Sequence, residues 1–262
     1  MWARWPDRAP ELPARWVPGL RGWRGALLPE YRLPLWLAAV VVDIGAPFVG
    51  FWIPGTGSTP MSSWPLRGLH LLERNQLVFI IALGESLLLV GGTLVDSPLT
   101  TGYLVAGGLG FLIVVAVWAL YFDGQAERAE HAFAQATDPA ALARASPAFS
   151  HGIMVLGAIV VAVGIELVIA HPWDPIHLDY ALTGAIGPII FLVGNGWYER
   201  AWSGSWPTGH TAAIGGLAVV SAVGYLAHVP GVVLGGGILL VLAARWKSLS
   251  RLHEHTTVGD NG

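Results

Sequence analysis

The sequence of 262 residues contains no cysteine and few charged side chains. Without cysteine there is no disulfide bond, no thiolate nucleophile and no cysteine-ligated metal, and the redox compartment is left open. Charged residues make up 12% of the chain, against about 25% in an ordinary soluble domain. The formal net charge of -3 offers no basic field, so the sequence predicts no nucleic-acid partner.

Apolar residues fill the place of the missing charges: 54% of the chain is hydrophobic, with 13 Trp and 34 Gly. Several apolar stretches approach the roughly 20 residues that an α-helix needs to cross a hydrocarbon core. This pattern predicts an all-α, polytopic transmembrane helix bundle with the lipid bilayer as its partner. We expect about seven spans, at residues 33–53, 76–95, 101–122, 151–170, 180–197, 210–227 and 230–246.

The segments that flank the spans are polar or broken by proline. Residues 1–32 contain six Arg, four Trp and five Pro, which favours an interfacial or loop segment with Trp and Arg at headgroup depth. A disordered tail is the alternative for that segment. Residues 123–150 predict a solvated helix followed by a turn with proline. The chain is therefore divided into an N-terminal segment, a transmembrane domain at 33–248 and a polar tail at 249–262.

The basic residues near the spans are distributed unevenly between the two sides of the bundle. Eight lie in the connections after spans one, three and five or in the tail, and the opposite connections hold none. Because cytoplasmic loops are enriched in Lys and Arg, we expect a cytoplasmic C-terminus, although the six N-terminal Arg residues contradict it. The eight are Arg67, Arg74, Arg128, Arg144, Arg200, Arg245, Lys247 and Arg251.

Acidic side chains inside the apolar stretches are the main candidates for a functional site. An ionised carboxylate at mid-span costs at least about 2.5 kcal/mol, so it usually faces other helices, water or a ligand. Glu85 and Asp43 lie near the middle of their spans, and Glu166 lies nearer the outer end of its span. With the neighbouring Ser86, they are the candidates for a substrate, ion or proton site. The alternative is a single structural hydrogen bond between helices.

A basic and acidic group, His70, Glu73 and Arg74, stands at the entrance of the second span. Arg74 and Glu85 are eleven residues apart, about 16 Å along a helix, so they cannot pair directly. We interpret the group as an interface anchor and helix cap.

The loop residues His171, Asp174 and His177 are of types that can bind a metal, but Pro172 and Pro175 break any regular face, so the sequence predicts no metal site. No cofactor is predicted, because the glycines at 235–237 lack the Lys and Ser/Thr of a phosphate loop. No H-E-x-x-H or G-x-S-x-G motif supports a known hydrolase.

Two stretches carry a resemblance to a known family: HLLERNQLVFIIALGES and, downstream, HGIMVLGAIVVAVGIELVIAHP. They resemble the bacterial low-temperature-requirement A family, whose members share an H-x-x-E-R entry, an A-L-G-E-S core and a later E-L-x-x-A-H-P. The resemblance implies a protein of the bacterial inner membrane with a link to growth in the cold and no agreed biochemical activity. The matching residues are His70, Glu73, Arg74, Gly84, Glu85, Ser86, Glu166, His171 and Pro172.

Members of that family are usually longer, with an N-terminal half that opens on an E-L-F-F-D-L-type helix. We find no counterpart here and expect the C-terminal part of such a protein or a shortened member. Three functional classes remain. We favour a carrier or ligand-binding protein that takes up a proton, a cation or a small molecule at Glu85 and Glu166. A structural or sensing protein comes next, and an intramembrane enzyme acting on a lipid-like substrate is the least favoured.

Overall fold

The computed structural model describes residues 29–46, 49–50, 52, 55, 57–58, 68–95, 97, 100–123 and 149–259. Within these ranges the regular elements are seven α-helices and no β-strand, and Pro175 and Pro230 form an isolated bridge. The predicted all-α class is confirmed. The helices are α1 (Pro29–Gly45), α2 (Gly68–Val95), α3 (Thr101–Phe122), α4 (Phe149–Ala170), α5 (Leu178–Ser203), α6 (Thr208–Leu226) and α7 (Gly231–Gly259).

Six of these helices, α2 to α7, are long and apolar enough to cross a membrane. The helix at the first predicted span is shorter, because α1 ends at Gly45 and its apolar part covers only Leu33–Val42. The last backbone hydrogen bond of this turn runs from Ala46 N–H to Val42 at 2.8 Å. Pro47 has no N–H to donate and disfavours a helical conformation of the residue before it, which accounts for the early end.

The described residues of the N-terminal part belong to one compact unit, Met1–Met61, and α2 to α7 belong to a second, Ser62–Gly262. In the second unit consecutive helices run antiparallel. Leu94, near the end of α2, lies against Gly107, near the start of α3, and Phe79 stacks on Tyr121 at the opposite end of the pair. We call the end of the bundle at which α3, α5 and α7 terminate the Arg245 end. The opposite end, at which α2, α4 and α6 terminate, is the Glu166 end.

The closest helix pair of the bundle is α4 with α5. A Cβ atom at Gly187 would lie 2.6 Å from the backbone nitrogen of Val161, so only glycine permits this approach. Small residues of this kind let helices pack closely in lipid, where the hydrophobic effect does not drive helices together. The core contains fully buried side chains from several helices: Phe79, Leu120, Met154, Phe191, Leu217 and Leu242.

Two sequence expectations concern segments at the limits of the described chain. The predicted polar tail begins at residue 249, and α7 extends through its first part to Gly259, so this part of the tail is helical. Most of the predicted interfacial segment at 1–32 and most of the predicted solvated helix at 123–150 lie outside the described residues.

Candidate functional site

A cleft of about 580 Å³ opens among α2, α3 and α4 toward the Glu166 end of the bundle. Its volume falls in the range of about 300–1,000 Å³ that is usual for small-molecule sites. Glu85 of α2 and Glu166 of α4 both line it, so the structure brings together two of the predicted site residues. We call it the carboxylate cleft, and its lining residues are Glu85, Leu88, Leu89, Gly92, Thr93, Ser97, Tyr103, Glu166 and Ala170.

Helical periodicity explains which residues reach the cleft. Leu88, Leu89 and Gly92 stand three, four and seven residues after Glu85, which puts all four on one face of α2. A Cβ atom added at Gly92 would meet nothing within 4 Å, so the glycine leaves this part of the cleft open. The sequence pattern of α2 therefore builds one wall of the cleft directly.

The cleft contains oxygen atoms that can accept hydrogen bonds from a ligand or bind a cation. Thr93 Oγ1 donates to the Leu89 carbonyl oxygen at 2.9 Å, and Ser97 Oγ donates to the Thr93 carbonyl oxygen at 2.6 Å. Because these hydroxyl protons are engaged with the backbone, the hydroxyl oxygens can act only as acceptors toward a ligand. None of the lining residues that the structure describes carries a basic side chain. Two carboxylates in such a setting focus a negative potential that attracts cations.

Neither Glu85 nor Glu166 has a hydrogen-bond or ion-pair partner among the described residues. Both side chains are exposed at the surface of the bundle, not enclosed within it. The cost of keeping a carboxylate in an apolar span is thus not offset by a structural contact within the described part of the chain. This is the property expected of groups that are available to a ligand.

The other two predicted site residues are placed elsewhere. Ser86 follows Glu85 in sequence, but a helix turns about 100° per residue, and Ser86 faces the interior with 2% of its surface exposed. Its Oγ donates to the Ala82 carbonyl oxygen at 3.0 Å, a bond within its own helix. Asp43 lies in α1, and its side chain is outside the described residues.

The entrance motif lies at the opposite end of α2 from the cleft. Glu73 is twelve residues from Glu85, which corresponds to about 18 Å along the helix axis. The side chains of Glu73 and Arg74 are exposed, and that of His70 is outside the described residues. The motif and the cleft are therefore separate features of one helix, and the interface-anchor role of the motif stays a prediction.

A buried polar network at the Arg245 end was not predicted from the sequence. Arg245 Nη2 lies 2.9 Å from His210 Nδ1, and His210 Nε2 lies 2.7 Å from Asn195 Oδ1. A guanidinium can only donate, so Nδ1 of His210 accepts and its Nε2–H donates to Asn195. The tautomer of the imidazole is thereby determined. We call Asn195, Glu199, His210, Arg245 and Ser248 the Arg245 network.

The remaining members of this network balance and orient the guanidinium. Glu199 Oε2 lies 4.0 Å from Arg245 Nη2 and 3.8 Å from His210 Nδ1. Arg245 Nη1 donates to Ser248 Oγ at 3.0 Å. Arg245 is only 6% exposed, and a charge so far removed from water needs a carboxylate and hydrogen bonds beside it. The network thus ties α5, α6 and α7 together at one end.

A second set of contacts ties the other helices together at the same end. Tyr121 OH and His151 Nε2 are 2.7 Å apart, and the ring of His151 meets that of Tyr198 edge-on at 5.0 Å. Asp123, just after α3, accepts hydrogen bonds from Trp246 Nε1 at 2.7 Å and from Ser250 Oγ at 2.9 Å. These contacts and the Arg245 network give this end a packing function.

The only sequence signal for these residues is that each is an isolated polar side chain near a span terminus.

Comparison with known proteins gives a family but no activity. The family model for the bacterial low temperature requirement A protein (LtrA) matches residues 15–245. An uncharacterized protein of Rhizobium meliloti (strain 1021) is 33% identical over 239 residues, which cover 91% of this chain and 57% of that protein. No solved structure matches the chain. The chain spans little more than half the length of this relative, and it belongs to the bacterial low temperature requirement A family.

Proposed function

We propose that this integral membrane protein is a carrier or ligand-binding protein whose site is the carboxylate cleft. In this proposal Glu85 and Glu166 take up a proton or another cation. The observation that carries it is that two carboxylates from different spans line one cleft without a basic lining residue and without a partner among the described residues. Such groups bind positive charge readily, and they are rare inside membrane spans unless they serve a ligand.

The second candidate, a structural or sensing protein, is favoured by the Arg245 network. There the buried polar groups contact one another across helices and hold α5, α6 and α7 together. Glu85 and Glu166 differ from that network, because neither contacts a polar partner in the described part of the chain. An intramembrane enzyme using a carboxylate with histidine as acid and base receives less support, because histidine is missing from the cleft lining as far as the structure describes it.

The proposal includes an orientation in the bacterial inner membrane, with the C-terminus and the Arg245 end in the cytoplasm. The eight basic residues that sequence analysis assigns to this side support it, as does their absence from the opposite connections. In this orientation the carboxylate cleft lies in the outer half of the bilayer. A ligand would then reach Glu166 before Glu85, since Glu166 is four residues from the end of α4.

The experiment uses purified protein in proteoliposomes that contain a trapped pH-sensitive dye, with an imposed cation or pH gradient. We expect Glu85→Gln and Glu166→Gln each to abolish the protein-dependent change in internal pH, since the amide keeps the shape of the side chain but cannot titrate. Asp179→Asn is the matched control, because Asp179 is an exposed carboxylate of α5 outside the cleft.

Growth at low temperature gives an independent measurement in cells that lack the native gene. Parent and Asp179→Asn should restore growth, and the two glutamine variants should not, at equal amounts of inserted protein. If both glutamine variants match the parent in liposomes and in growth, the cleft carboxylates do not bind a functional cation, and the structural interpretation replaces the proposal.

A further inference from the structure

The lining of the carboxylate cleft is not that of an inorganic cation site. Ions such as Ca²⁺ take six to eight oxygen ligands, and Mg²⁺ takes six, in a small and regular cage. The cleft is far larger, at about 580 Å³, and no group of three or more acidic, histidine or cysteine residues in the described chain could hold a metal ion. A bare metal ion would leave most of this space unfilled.

Apolar side chains form a large part of the cleft walls. Leu88, Leu89 and Ala170 contribute hydrocarbon to the walls, and Tyr103 contributes an aromatic ring. Ligand sites of this size combine apolar walls with a few polar groups that determine orientation. An aromatic ring attracts an ammonium group through its negative face, by about 0.5–1 kcal/mol at an exposed site. The walls thus favour a ligand that carries both a cation and hydrocarbon.

We propose that the carboxylate cleft binds an organic ammonium ion with apolar substituents. Glu85 and Glu166 balance its charge, and Leu88 and Leu89 contact its hydrocarbon part. The inference rests on the proposed function, because it uses the same site and names the chemical class of its cation. It adds a specificity that a proton or metal site would not have, namely a binding strength that increases with the length of the hydrocarbon.

The test is calorimetric titration of the purified protein in lipid nanodiscs with ethylammonium, butylammonium and hexylammonium. Empty nanodiscs give the partition of each compound into lipid, which is subtracted. We expect affinity to rise about fourfold for each added methylene, the factor that corresponds to about 0.8 kcal/mol per buried methylene. Glu85→Gln should weaken hexylammonium about tenfold or more, since it removes a charged partner. Asp179→Asn should bind as the parent does.

Two leucines allow a matched test of the apolar contact, since Leu88 and Leu240 are each 71% exposed and only Leu88 lines the cleft. Leu88→Ala should weaken hexylammonium by about fourfold or more and leave ethylammonium unchanged. Leu240→Ala, on α7, should change neither affinity.

Neutral hexanol and the ions Na⁺, K⁺ and Mg²⁺ complete the series. Weak binding of all four supports the inference. If hexanol binds as tightly as hexylammonium, the cleft recognises hydrocarbon alone and the inference is wrong. If Na⁺ or K⁺ binds as tightly as hexylammonium and Glu85→Gln removes that binding, the organic class is wrong and the proposed function stands. If the binding of no cation in this series responds to Glu85→Gln or Glu166→Gln, the inference is wrong, and the pH measurement in liposomes then decides the proposed function, because it also detects proton uptake.

Discussion

Arg245 of α7 and His210 of α6 form a buried hydrogen bond of 2.9 Å although they stand 35 residues apart in the sequence. His210 is fully buried, and its other ring nitrogen is bound to Asn195 of α5. The imidazole is therefore the central link of three helices. Its removal would leave a guanidinium and an amide in the interior without the partner that each now has.

We predict that His210→Ala lowers the stability of the bundle by about 3 kcal/mol. The physical reason is that a buried donor left unsatisfied costs about 1–3 kcal/mol, and more when it is charged. The measurement is thermal unfolding of the purified protein in detergent, followed by the loss of monodisperse protein on a sizing column. Lys247→Ala is the control, because Lys247 is exposed on the same helix and its replacement should change stability by at most about 0.5 kcal/mol.

An unfolding temperature of His210→Ala equal to that of Lys247→Ala would contradict this prediction. It would mean that water or a rearranged Glu199 satisfies Arg245 as well as the imidazole does. The Arg245 network would then contribute helix position but little free energy.

The sequence predicted the α-helical class and the apolar spans of α2 to α7, and it drew attention to two carboxylates, because each of these is a property of one continuous segment. A run of apolar residues identifies a span, and an acidic residue within it is conspicuous. The spacing of Glu85 and Leu88 also determines their shared face without reference to other helices. That Glu85 and Glu166 line the same cleft could only be proposed from the sequence, because it depends on which helices are neighbours.

The Arg245 network escaped sequence analysis for a physical reason. Its members come singly from different helices, so no spacing within one helix connects them. The sequence places Arg245 among the basic residues of the cytoplasmic tail, whereas the structure buries it within the bundle, where its Nη1 and Nη2 donate to Ser248 and His210.

We predict that a single methyl group added at Gly187 lowers the stability of the bundle. In Gly187→Ala the new Cβ would lie 2.6 Å from Val161 N and 2.9 Å from Val160 C, and both are backbone atoms that cannot rotate aside. The helices α4 and α5 would have to separate, at a cost of about 1–3 kcal/mol or more. Thermal unfolding in detergent measures the loss. Gly152→Ala is the matched control on α4, because its new Cβ meets nothing within 4 Å.

The unfolding temperature should fall in Gly187→Ala but not in Gly152→Ala. Alanine is favoured over glycine inside a helix by about 1 kcal/mol, so Gly152→Ala should keep or raise the unfolding temperature. Equal unfolding temperatures for Gly187→Ala and Gly152→Ala would show that α4 and α5 adjust without cost, and that their close approach does not depend on glycine.

The proposed orientation can be tested directly because the chain contains no cysteine. Single cysteines are placed at two exposed sites in opposite connections: Asp174→Cys, between α4 and α5, and Ser205→Cys, between α5 and α6. Asp174 loses only an exposed contact of 3.1 Å with His171, which is worth at most about 1 kcal/mol. The measurement is labelling by a membrane-impermeant maleimide in intact cells and again after permeabilisation.

We expect Asp174→Cys to be labelled in intact cells and Ser205→Cys only after permeabilisation, because the basic residues favour the cytoplasm for the connections of the Arg245 end. The two sites are separated by one span, α5, so their labelling patterns must differ if that helix crosses the membrane. The cysteine-free parent sets the background. The reverse pattern would place the C-terminus outside and the carboxylate cleft toward the cytoplasm, and the ligand would then have to arrive from within the cell.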